Sequence, residues 1–365
     1  MVIGVLKCTE ERLVPLVPKV VAKFVKDGYQ VKVESGAGKL SHFEDAAYEE
    51  CGATVVAREE LFKSDILLTS SGLDIAELPK FNKNALVIGK FNARVDSELV
   101  TALKVSGLKV FSLDLLPRSS IAQSMDVLSS LASLSGYKAV VTAADNYGGY
   151  LPMMITSAGT IPPAKFMILG AGVAGLQAIA TAKRLGAIVD IFDVRSAVKE
   201  EVESLGAKFI EVEGATEDKD AGGYAIQQSE EYIQKQKELI HQTAIKADVV
   251  ITTANIPGRK APLLIEKRTI KGMKRGSVIV DMASASGGNV ELSKDNEIIK
   301  VHGVTVVGDS KLYNQMGPQS SFVYSNNIYN FLSYVLKEGF ENISYTNDII
   351  SNTLLSPVEI GGANS

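Results

Sequence analysis

The sequence KFMILGAGVAGLQAIATAKRLGAIVDIFDVR, residues 165–195, determines the fold of the chain around it. Its apolar run 166–169 predicts a buried strand, and the glycines that follow have G-x-G-x-x-G spacing. A helical pattern then continues to Gly186, and a second apolar strand, residues 188–192, ends beside Asp193. This succession of strand, glycine turn, helix, strand and acid is typical of a βαβ unit that binds a dinucleotide.

Each of the three glycines has its own physical role in such a unit. Gly170 allows the tight turn out of the strand, Gly172 lets a pyrophosphate approach the backbone, and Gly175 lets the helix pack closely on the strand. The helix N-terminus then presents unpaired N–H groups and a positive dipole end to the phosphates. The alternative, a glycine turn in another kind of βαβ unit, does not explain why the rest of the pattern is present.

Asp193 indicates which dinucleotide is bound. A carboxylate at this distance from the glycines can accept a hydrogen bond from the 2′-hydroxyl of the adenosine ribose, and it would repel a 2′-phosphate. Arg195 is a complication, because a nearby arginine can favour that phosphate. We give the carboxylate the greater weight and predict that this chain binds NAD(H), not NADP(H).

The composition excludes several classes of function. The chain has 365 residues, 46% of them hydrophobic, which is typical of two domains with sizeable cores. Its net charge of −4 gives no indication of nucleic acid or an anionic membrane surface as a partner. Cys8 and Cys51 provide neither a disulfide framework nor metal-ligand spacing, so we predict no metal and a reduced, cytosolic setting. We also find no apolar run of the ~18–20 residues that a membrane span requires.

Short apolar strands alternate with helical stretches in both halves of the chain. The first half has six such strands and lacks a glycine fingerprint, whereas the second has six that begin with residues 166–169. We predict an α/β protein with two Rossmann-like, doubly wound parallel-sheet domains, joined by long helices and separated by a cleft. The predicted domains are residues 1–128 together with 320–365, and residues 129–319.

Two segments stand out from this alternation. Residues 119–137 predict a single helix in which Asp126 is the only charged residue, so we expect the helix to be buried on most sides. Its polar residues predict one stripe along a helix face: Gln123, Asp126, Ser129, Ser130 and Ser133. Between Val212 and Glu230, a long segment with Gly222-Gly223 before Tyr224 predicts a lid, with an ordinary surface loop as the alternative.

Several longer motifs occur in one order along the chain. They are PRSSIAQSMDVLSS from Pro117, GAGVAGLQAIATAKRLGA from Gly170, DVRSAVKEEVESLGAKF from Asp193, AGGYA from Ala221, ITTANIPGRKAP from Ile251 and GSVIVDMASASGGN from Gly276. Together they resemble the NAD(H)-binding component of proton-translocating, Si-specific NAD(P) transhydrogenases, and the similarity runs from Met1 to about Leu336. The related alanine dehydrogenases share the fold and much of this layout.

The resemblance implies roles for individual residues. It places four of them in a loop and helix beside the nicotinamide, where they would act in catalysis: Arg118, Gln123, Asp126 and Ser129. The implied cofactor contacts are Gly170, Gly172, Val173, Gly175, Asp193, Val194, Arg195, Tyr224, Ala254, Asn255 and Pro257. Tyr224 would lie on a loop that closes over the nucleotide, and Asn255 differs from the leucine expected at its position. The alternative for the first group is a structural helix with an interdomain salt bridge, in which Arg118 is a candidate partner of Asp126.

The alanine dehydrogenases offer a competing reaction, the oxidation of an amino acid. Arg12 matches their early arginine, but TSSGL at residues 69–73 lacks the expected lysine and VIGKFNA at residues 87–93 lacks the expected histidine. Ala285 and Ser286 replace the expected acid, so the acid–base groups that this reaction needs are missing. Hydride transfer between two nicotinamides mainly requires proximity and orientation, which fits this chain better.

The resemblance also implies partners and a location. NADP(H) would be bound by a separate NADP(H)-binding component, and proton translocation would occur in a membrane component. The chain would form a homodimer without a membrane span of its own. It would be cytoplasmic, peripheral on the cytoplasmic face of the inner membrane through its partner subunits. A non-catalytic NAD(H) sensor on the same fold is a further alternative, because a sensor would also lack a substrate base.

Overall fold

The structure, a computed structural model, describes residues 1–95, 97–212 and 230–356. Two large, mainly parallel sheets account for most of its strands, which confirms the predicted α/β class. The chain divides into two compact units, Met1–Leu131 with Tyr313–Ser365, and Ala132–Leu312.

The first unit is built on a six-stranded parallel sheet. Its strands are β1 (Val2–Val5), β2 (Gln30–Glu34), β3 (Thr54–Val56), β4 (Ile66–Leu68), β5 (Leu86–Gly89) and β6 (Lys109–Ser112). They lie in the order β3-β2-β1-β4-β5-β6, which is the Rossmann order. All residues of β4 and β5 are buried, as expected for a parallel sheet that is covered on both faces. The helices of this part of the chain are α1 (Pro18–Lys26), α2 (Asp45–Glu50), α3 (Arg58–Leu61) and α4 (Glu98–Val105).

The next helix differs from the predicted one. Ala122–Met125 form a short 3₁₀ helix, Asp126 is extended, and the α-helix α5 runs over Val127–Asn146. The prediction of one helix over residues 119–137 is therefore wrong, and so is the polar stripe along it. The helix begins after Asp126 because this carboxylate accepts hydrogen bonds from the N–H and hydroxyl of Ser129, at 3.0 and 2.6 Å, and thereby caps α5.

α5 is also less buried than predicted. Leu131 and Ala139 are buried, but Leu134 is half-buried and Tyr137 is exposed. By length and composition alone, α5 is long and apolar enough to cross a membrane. Core helices of soluble proteins pass the same test, and 39% of the most apolar part of α5 is buried.

The second unit contains a seven-stranded sheet and a separate hairpin. The hairpin strands are β7 (Met154–Thr156) and β8 (Gly159–Ile161). The sheet strands are β9 (Lys165–Leu169), β10 (Ile188–Phe192), β11 (Lys208–Ile210), β12 (Val249–Thr252), β13 (Val278–Asp281), β14 (Glu297–Val301) and β15 (Val304–Gly308). The helices are α6 (Val173–Arg184), α7 (Lys199–Ser204), α8 (Glu230–Ala244) and α9 (Lys267–Gly272).

The sheet order is β11-β10-β9-β12-β13-β15-β14, with only β14 antiparallel to its neighbour. Six of these strands were predicted. β14 and the hairpin were not, because β14 is a mostly exposed edge strand and the hairpin strands have three residues each. Phe166 and Ile168 of β9 pack with Ile179 of α6 on one face, whereas Met167 and Leu169 join the core on the other face. The sheet is therefore covered on both sides, as a doubly wound fold requires.

After Leu312 the chain returns to the first unit. The backbone N–H groups of Val14 and Val17 donate hydrogen bonds to the hydroxyls of Ser321 and Ser325, which holds the helix of the returning segment in place. The helices of this segment are α10 (Gly317–Val335) and α11 (Asp348–Thr353).

Candidate functional site

The glycine turn joins β9 to α6 at the carboxyl end of the second sheet. Gly170 has φ +104°, a conformation that strongly favours glycine. A Cβ atom on Gly175 would overlap the carbonyl oxygen of Gly170. Both glycines are therefore required by the close packing of the turn itself.

Gly172 is different, because nothing in the described residues requires a glycine there. Its φ of −78° suits any residue, and a Cβ atom would meet no atom of the described residues within 4 Å. α6 starts at the next residue, Val173, without a side-chain cap, and the N–H groups of a first helical turn have no partners within the helix. The open space beside Gly172 therefore faces backbone donors and a positive dipole end, which is the environment that a pyrophosphate needs.

Thr253, which our sequence reasoning missed, braces this turn. Its hydroxyl lies 3.2 Å from the carbonyl oxygen of Leu169 and 3.0 Å from that of Gly170, and it donates to them. Thr253 follows β12, which pairs directly with β9. A polar residue directly after a buried strand was the available signal, and only the pairing of the strands shows what it contacts.

Asp193 is held by several donors. Its carboxylate accepts hydrogen bonds from the N–H of Ala171 at 2.7 Å and from the backbone N–H of Arg195 at 2.9 Å. The guanidinium of Arg195 donates two more, both at 2.9 Å. Because Ala171 belongs to the glycine turn, the acid and the turn form one connected structure at the ends of β9 and β10.

Arg195 faces Asp193 as an ion pair. The hydrogen bonds to Asp193 raise the pKa of the guanidinium above its ordinary value, while burial acts in the opposite direction. The side chains of Asp193 and Arg195 are 6% and 28% exposed. The positive charge of Arg195 is therefore compensated by the carboxylate of Asp193. Val194 lies between them and is half-buried.

The loop after β12 lies beside the glycine turn, because Thr252 of β12 is paired with Leu169 of β9. Its predicted contact residues Ala254 and Pro257 are half-buried, and Asn255 is exposed. The chain passes from β9 to β10 on one side and reaches β12 on the other, so these loops flank a topological switch point, where doubly wound sheets bind ligands. Tyr224 and the predicted lid lie outside the described residues.

The segment with the predicted catalytic residues is fixed through its backbone. The side-chain amides of Asn327 and Asn330 on α10 both donate to the carbonyl oxygen of Ser124, each at 2.9 Å. Arg118 and Gln123 are exposed at this segment, whereas Asp126 and Ser129 form the cap of α5 and are half-buried. The two asparagines are separated from Ser124 by about two hundred residues, so the sequence did not reveal them.

A buried polar cluster at the carboxyl ends of the first sheet was also missed. Lys90 Nζ donates to the hydroxyl of Tyr313 at 2.8 Å and lies 3.4 Å from Glu11 Oε1. The Tyr313 hydroxyl donates to the same Glu11 oxygen at 3.2 Å. Within the described ranges, no group of three or more His, Cys, Asp or Glu residues could hold a metal ion.

A doubly wound sheet with this glycine turn, an uncapped helix N-terminus and an acid after the second strand defines a dinucleotide-binding Rossmann fold. The chain belongs to the alanine dehydrogenase/PNT family. Residues 7–135 match the model described as "Alanine dehydrogenase/PNT, N-terminal domain", and residues 139–357 match "Alanine dehydrogenase/PNT, C-terminal domain".

Individual relatives support this assignment. The chain is 42% identical over 343 residues to the first portion of NAD(P) transhydrogenase subunit alpha from Rickettsia prowazekii, covering 92% of this chain and 90% of the relative. The structure of transhydrogenase from Sinorhizobium meliloti superposes with a TM-score of 0.89 at 39% identity and covers 98% of each chain. An L-alanine dehydrogenase structure superposes with a TM-score of 0.80 at 25% identity, covering 97% of this chain and 94% of its own.

Proposed function

We propose that this chain is the NAD(H)-binding component of a proton-translocating, Si-specific NAD(P) transhydrogenase. NADH bound here passes its hydride directly to NADP⁺ bound on a separate component. The observation that carries the proposal is the 42% identity, over 92% of the chain, to a relative named as the first portion of a transhydrogenase alpha subunit. The open space beside Gly172 supports it, because that space suits the pyrophosphate of the cofactor.

In this proposal the chain binds and orients the nucleotide and moves no proton. The hydride carries both electrons from one ring to the other, so the main demands are proximity and orientation. The adenosine ribose is held by Asp193, Val194 and Arg195, and the pyrophosphate by Gly170, Gly172, Val173 and Gly175. The nicotinamide is oriented by Arg118, Gln123, Asp126 and Ser129, and its ribose by Ala254, Asn255 and Pro257, while Tyr224 closes over the nucleotide.

A mixing experiment tests the proposal. The chain is combined with the NADP(H)-binding component of the same transhydrogenase, NADH, and an NADP⁺ analogue whose reduced form absorbs at a separate wavelength. We expect the analogue to be reduced only when both proteins are present. If NADH binds and the complex forms but no hydride is transferred, the chain is an NAD(H) sensor.

The likeness to L-alanine dehydrogenase keeps an amino-acid oxidoreductase as the second candidate. In the segment that lacks its lysine, the hydroxyls of Thr69 and Ser70 donate to the carbonyl oxygens of Ser71 and Leu13. These side chains therefore stabilise the backbone of the loop. We expect no alanine-dependent reduction of NAD⁺ by the isolated chain, and such a reduction would favour the second candidate.

The proposed assembly also contains a membrane component that moves protons. Through its partner subunits, this chain lies in the cytoplasm on the cytoplasmic face of the inner membrane, and it forms a homodimer.

The hairpin of β7 and β8 supports the homodimer. Met153, Ile155 and Ile161 are 59%, 73% and 40% exposed. An isolated two-stranded hairpin is marginally stable in water, so a neighbour that covers these exposed apolar side chains would stabilise it. We propose that a second copy of the chain covers this hairpin.

A further inference from the structure

One buried side chain connects both ends of the loop that follows β12. Asn289 is fully buried, and its Nδ2 donates to the carbonyl oxygens of Ala254 at 2.9 Å and Pro262 at 2.8 Å. An amide nitrogen has two hydrogens, so both donors of Asn289 are engaged by the loop. We call residues 254–262 the clamped loop.

Among the described residues, the middle of the clamped loop makes few hydrogen bonds. Asn255, Arg259 and Lys260 are exposed, and the N–H of Arg259 closes one turn on the carbonyl oxygen of Ile256. A backbone hydrogen bond from Ala261 to the neighbouring 286–290 segment holds only the end of the loop. The position of the middle therefore depends on how its two ends are held.

Asn289 is itself held by a buried acid. Asp281, the last residue of β13, is fully buried and accepts hydrogen bonds from the Thr252 hydroxyl at 3.0 Å and from the N–H of Asn289 at 3.1 Å. A Cβ atom on Gly288 would lie 2.9 Å from Asp281 Oδ2, and Gly288 has φ +77°. The chain therefore makes a glycine-dependent turn around Asp281 that aims the Asn289 amide at the clamped loop.

The side-chain carbonyl oxygen of Asn289 indicates that this asparagine serves to position the loop and not to stabilise the protein. Asn289 Oδ1 is buried and accepts no hydrogen bond from the described residues. A buried acceptor without a donor costs free energy, which an apolar residue of similar size would avoid. An apolar residue could not supply the two hydrogen bonds that Asn289 donates to the clamped loop.

We infer that Asn289 is a positioning residue that sets the clamped loop against the nicotinamide end of the bound cofactor. The inference rests on the proposed function, which assigns Ala254, Asn255 and Pro257 to the nicotinamide ribose. Asn289 acts through the loop and does not touch the nucleotide. Loss of the clamp should therefore affect binding of the nicotinamide half and leave the adenosine half unchanged.

Two variants of the full chain test this inference, Asn289→Ala and Asn289→Asp. Asn289→Ala removes both donors, whereas Asn289→Asp keeps the size but turns a carboxylate towards two carbonyl oxygens. We expect faster amide hydrogen exchange in residues 255–261, weaker NADH binding and unchanged ADP binding, with Asn289→Asp the more severe. With the partner component, hydride transfer at saturating NADH should fall by about 10- to 100-fold, as expected when a reacting group is misplaced.

Asn146→Ala is the matched control, because Asn146 Nδ2 also donates to a backbone carbonyl, that of Thr142, but far along the chain from the loop. We expect it to leave exchange in residues 255–261 and NADH binding unchanged. Unchanged exchange in both Asn289 variants would overturn the inference, and so would equal losses of ADP and NADH binding. A more severe effect of Asn289→Ala than of Asn289→Asp would show a role in filling space, which also contradicts it.

The readouts separate this inference from the proposed function. Hydrogen exchange and the comparison of ADP with NADH need no partner and no turnover, so they test the clamp even if wild-type protein transfers no hydride. If Asn289→Asp does not fold, hydrogen exchange and the comparison of ADP with NADH binding are measured on Asn289→Ala alone. Conversely, the wild-type protein could transfer hydride while amide hydrogen exchange is unchanged in the Asn289 variants. That result would support the proposed function and contradict the positioning role of Asn289.

Discussion

Gly172 and Gly175 belong to one motif but are glycine for different reasons. At Gly175 a side chain would overlap the backbone of Gly170, so the protein itself excludes it. At Gly172 φ is ordinary and the part of the chain that the structure describes leaves the space open, so a ligand explains the missing side chain. A substitution at Gly172 should therefore weaken ligand binding alone, whereas one at Gly175 should also lower the stability of the protein.

We predict that Gly172→Ala folds normally and binds NADH about tenfold more weakly or worse, which corresponds to ~1.4 kcal/mol of binding free energy. A methyl group there would occupy the space that the pyrophosphate needs. Calorimetric titration with NADH, together with thermal unfolding, measures both effects. Gly175→Ala is the comparison and should lower stability as well as binding. Full NADH affinity in Gly172→Ala would contradict a phosphate site at this turn.

At the scale of the element, the start of α5 shows how one residue sets a helix boundary. In the sequence, Asp126 falls inside a stretch that predicts a helix. In the structure it lies before α5 and caps the helix through Ser129. A capping role and a role beside the nicotinamide make different demands on the same side chain. Capping needs an acceptor oxygen, whereas a catalytic contact can depend on the charge.

We predict that Asp126→Asn keeps the stability of the protein within ~0.5 kcal/mol, because asparagine caps helices about as well as aspartate. Asp126→Ala should lower the free energy of unfolding by ~1 kcal/mol, because alanine cannot cap the helix. Chemical denaturation measures both, and the mixing assay measures hydride transfer. Slower transfer in Asp126→Asn would show that the charge matters beyond the cap, whereas normal transfer would limit Asp126 to a structural role.

Gly136 is a second position where an element depends on close contact. It lies inside α5, where glycine normally costs ~1 kcal/mol relative to alanine. A Cβ atom there would overlap the carbonyl oxygen of Ala174, in the first turn of α6. The close contact of α5 with the helix that starts at the glycine turn therefore explains a residue that helix propensity disfavours.

We expect Gly136→Ala to lower stability by ~1–3 kcal/mol, the usual cost of overpacking, and to weaken NADH binding as the first turn of α6 is displaced. Denaturant unfolding and NADH titration test this. Gly148→Ala is the matched control, because its Cβ atom would meet none of the described atoms within 4 Å and its φ is not positive. A stabilised Gly136→Ala protein would mean that the helices adjust without cost.

At the scale of the whole molecule, we predict that Ile155→Glu converts the proposed homodimer of this chain into a monomer. A charge on the hairpin would be buried without a partner once a second copy covers it. Sedimentation velocity at several protein concentrations measures the change. Ile298→Glu is the control, because Ile298 is 59% exposed on the edge strand β14. A wild-type chain that is monomeric throughout, or a dimeric Ile155→Glu protein, would contradict the proposed interface.

The α/β class, the Rossmann-type repeat of strands and the position of the glycine turn could be predicted from the sequence, because these depend on local periodicity and on residues close together in the chain. The pairing of Arg195 with Asp193, the contact of Thr253 with the turn and the hold of Asn289 on the loop after β12 became apparent in the folded structure. These contacts join side chains whose packing no periodic pattern encodes. The folded structure also showed that α5 begins after Asp126, because capping depends on a local geometry that outweighs the apolar pattern.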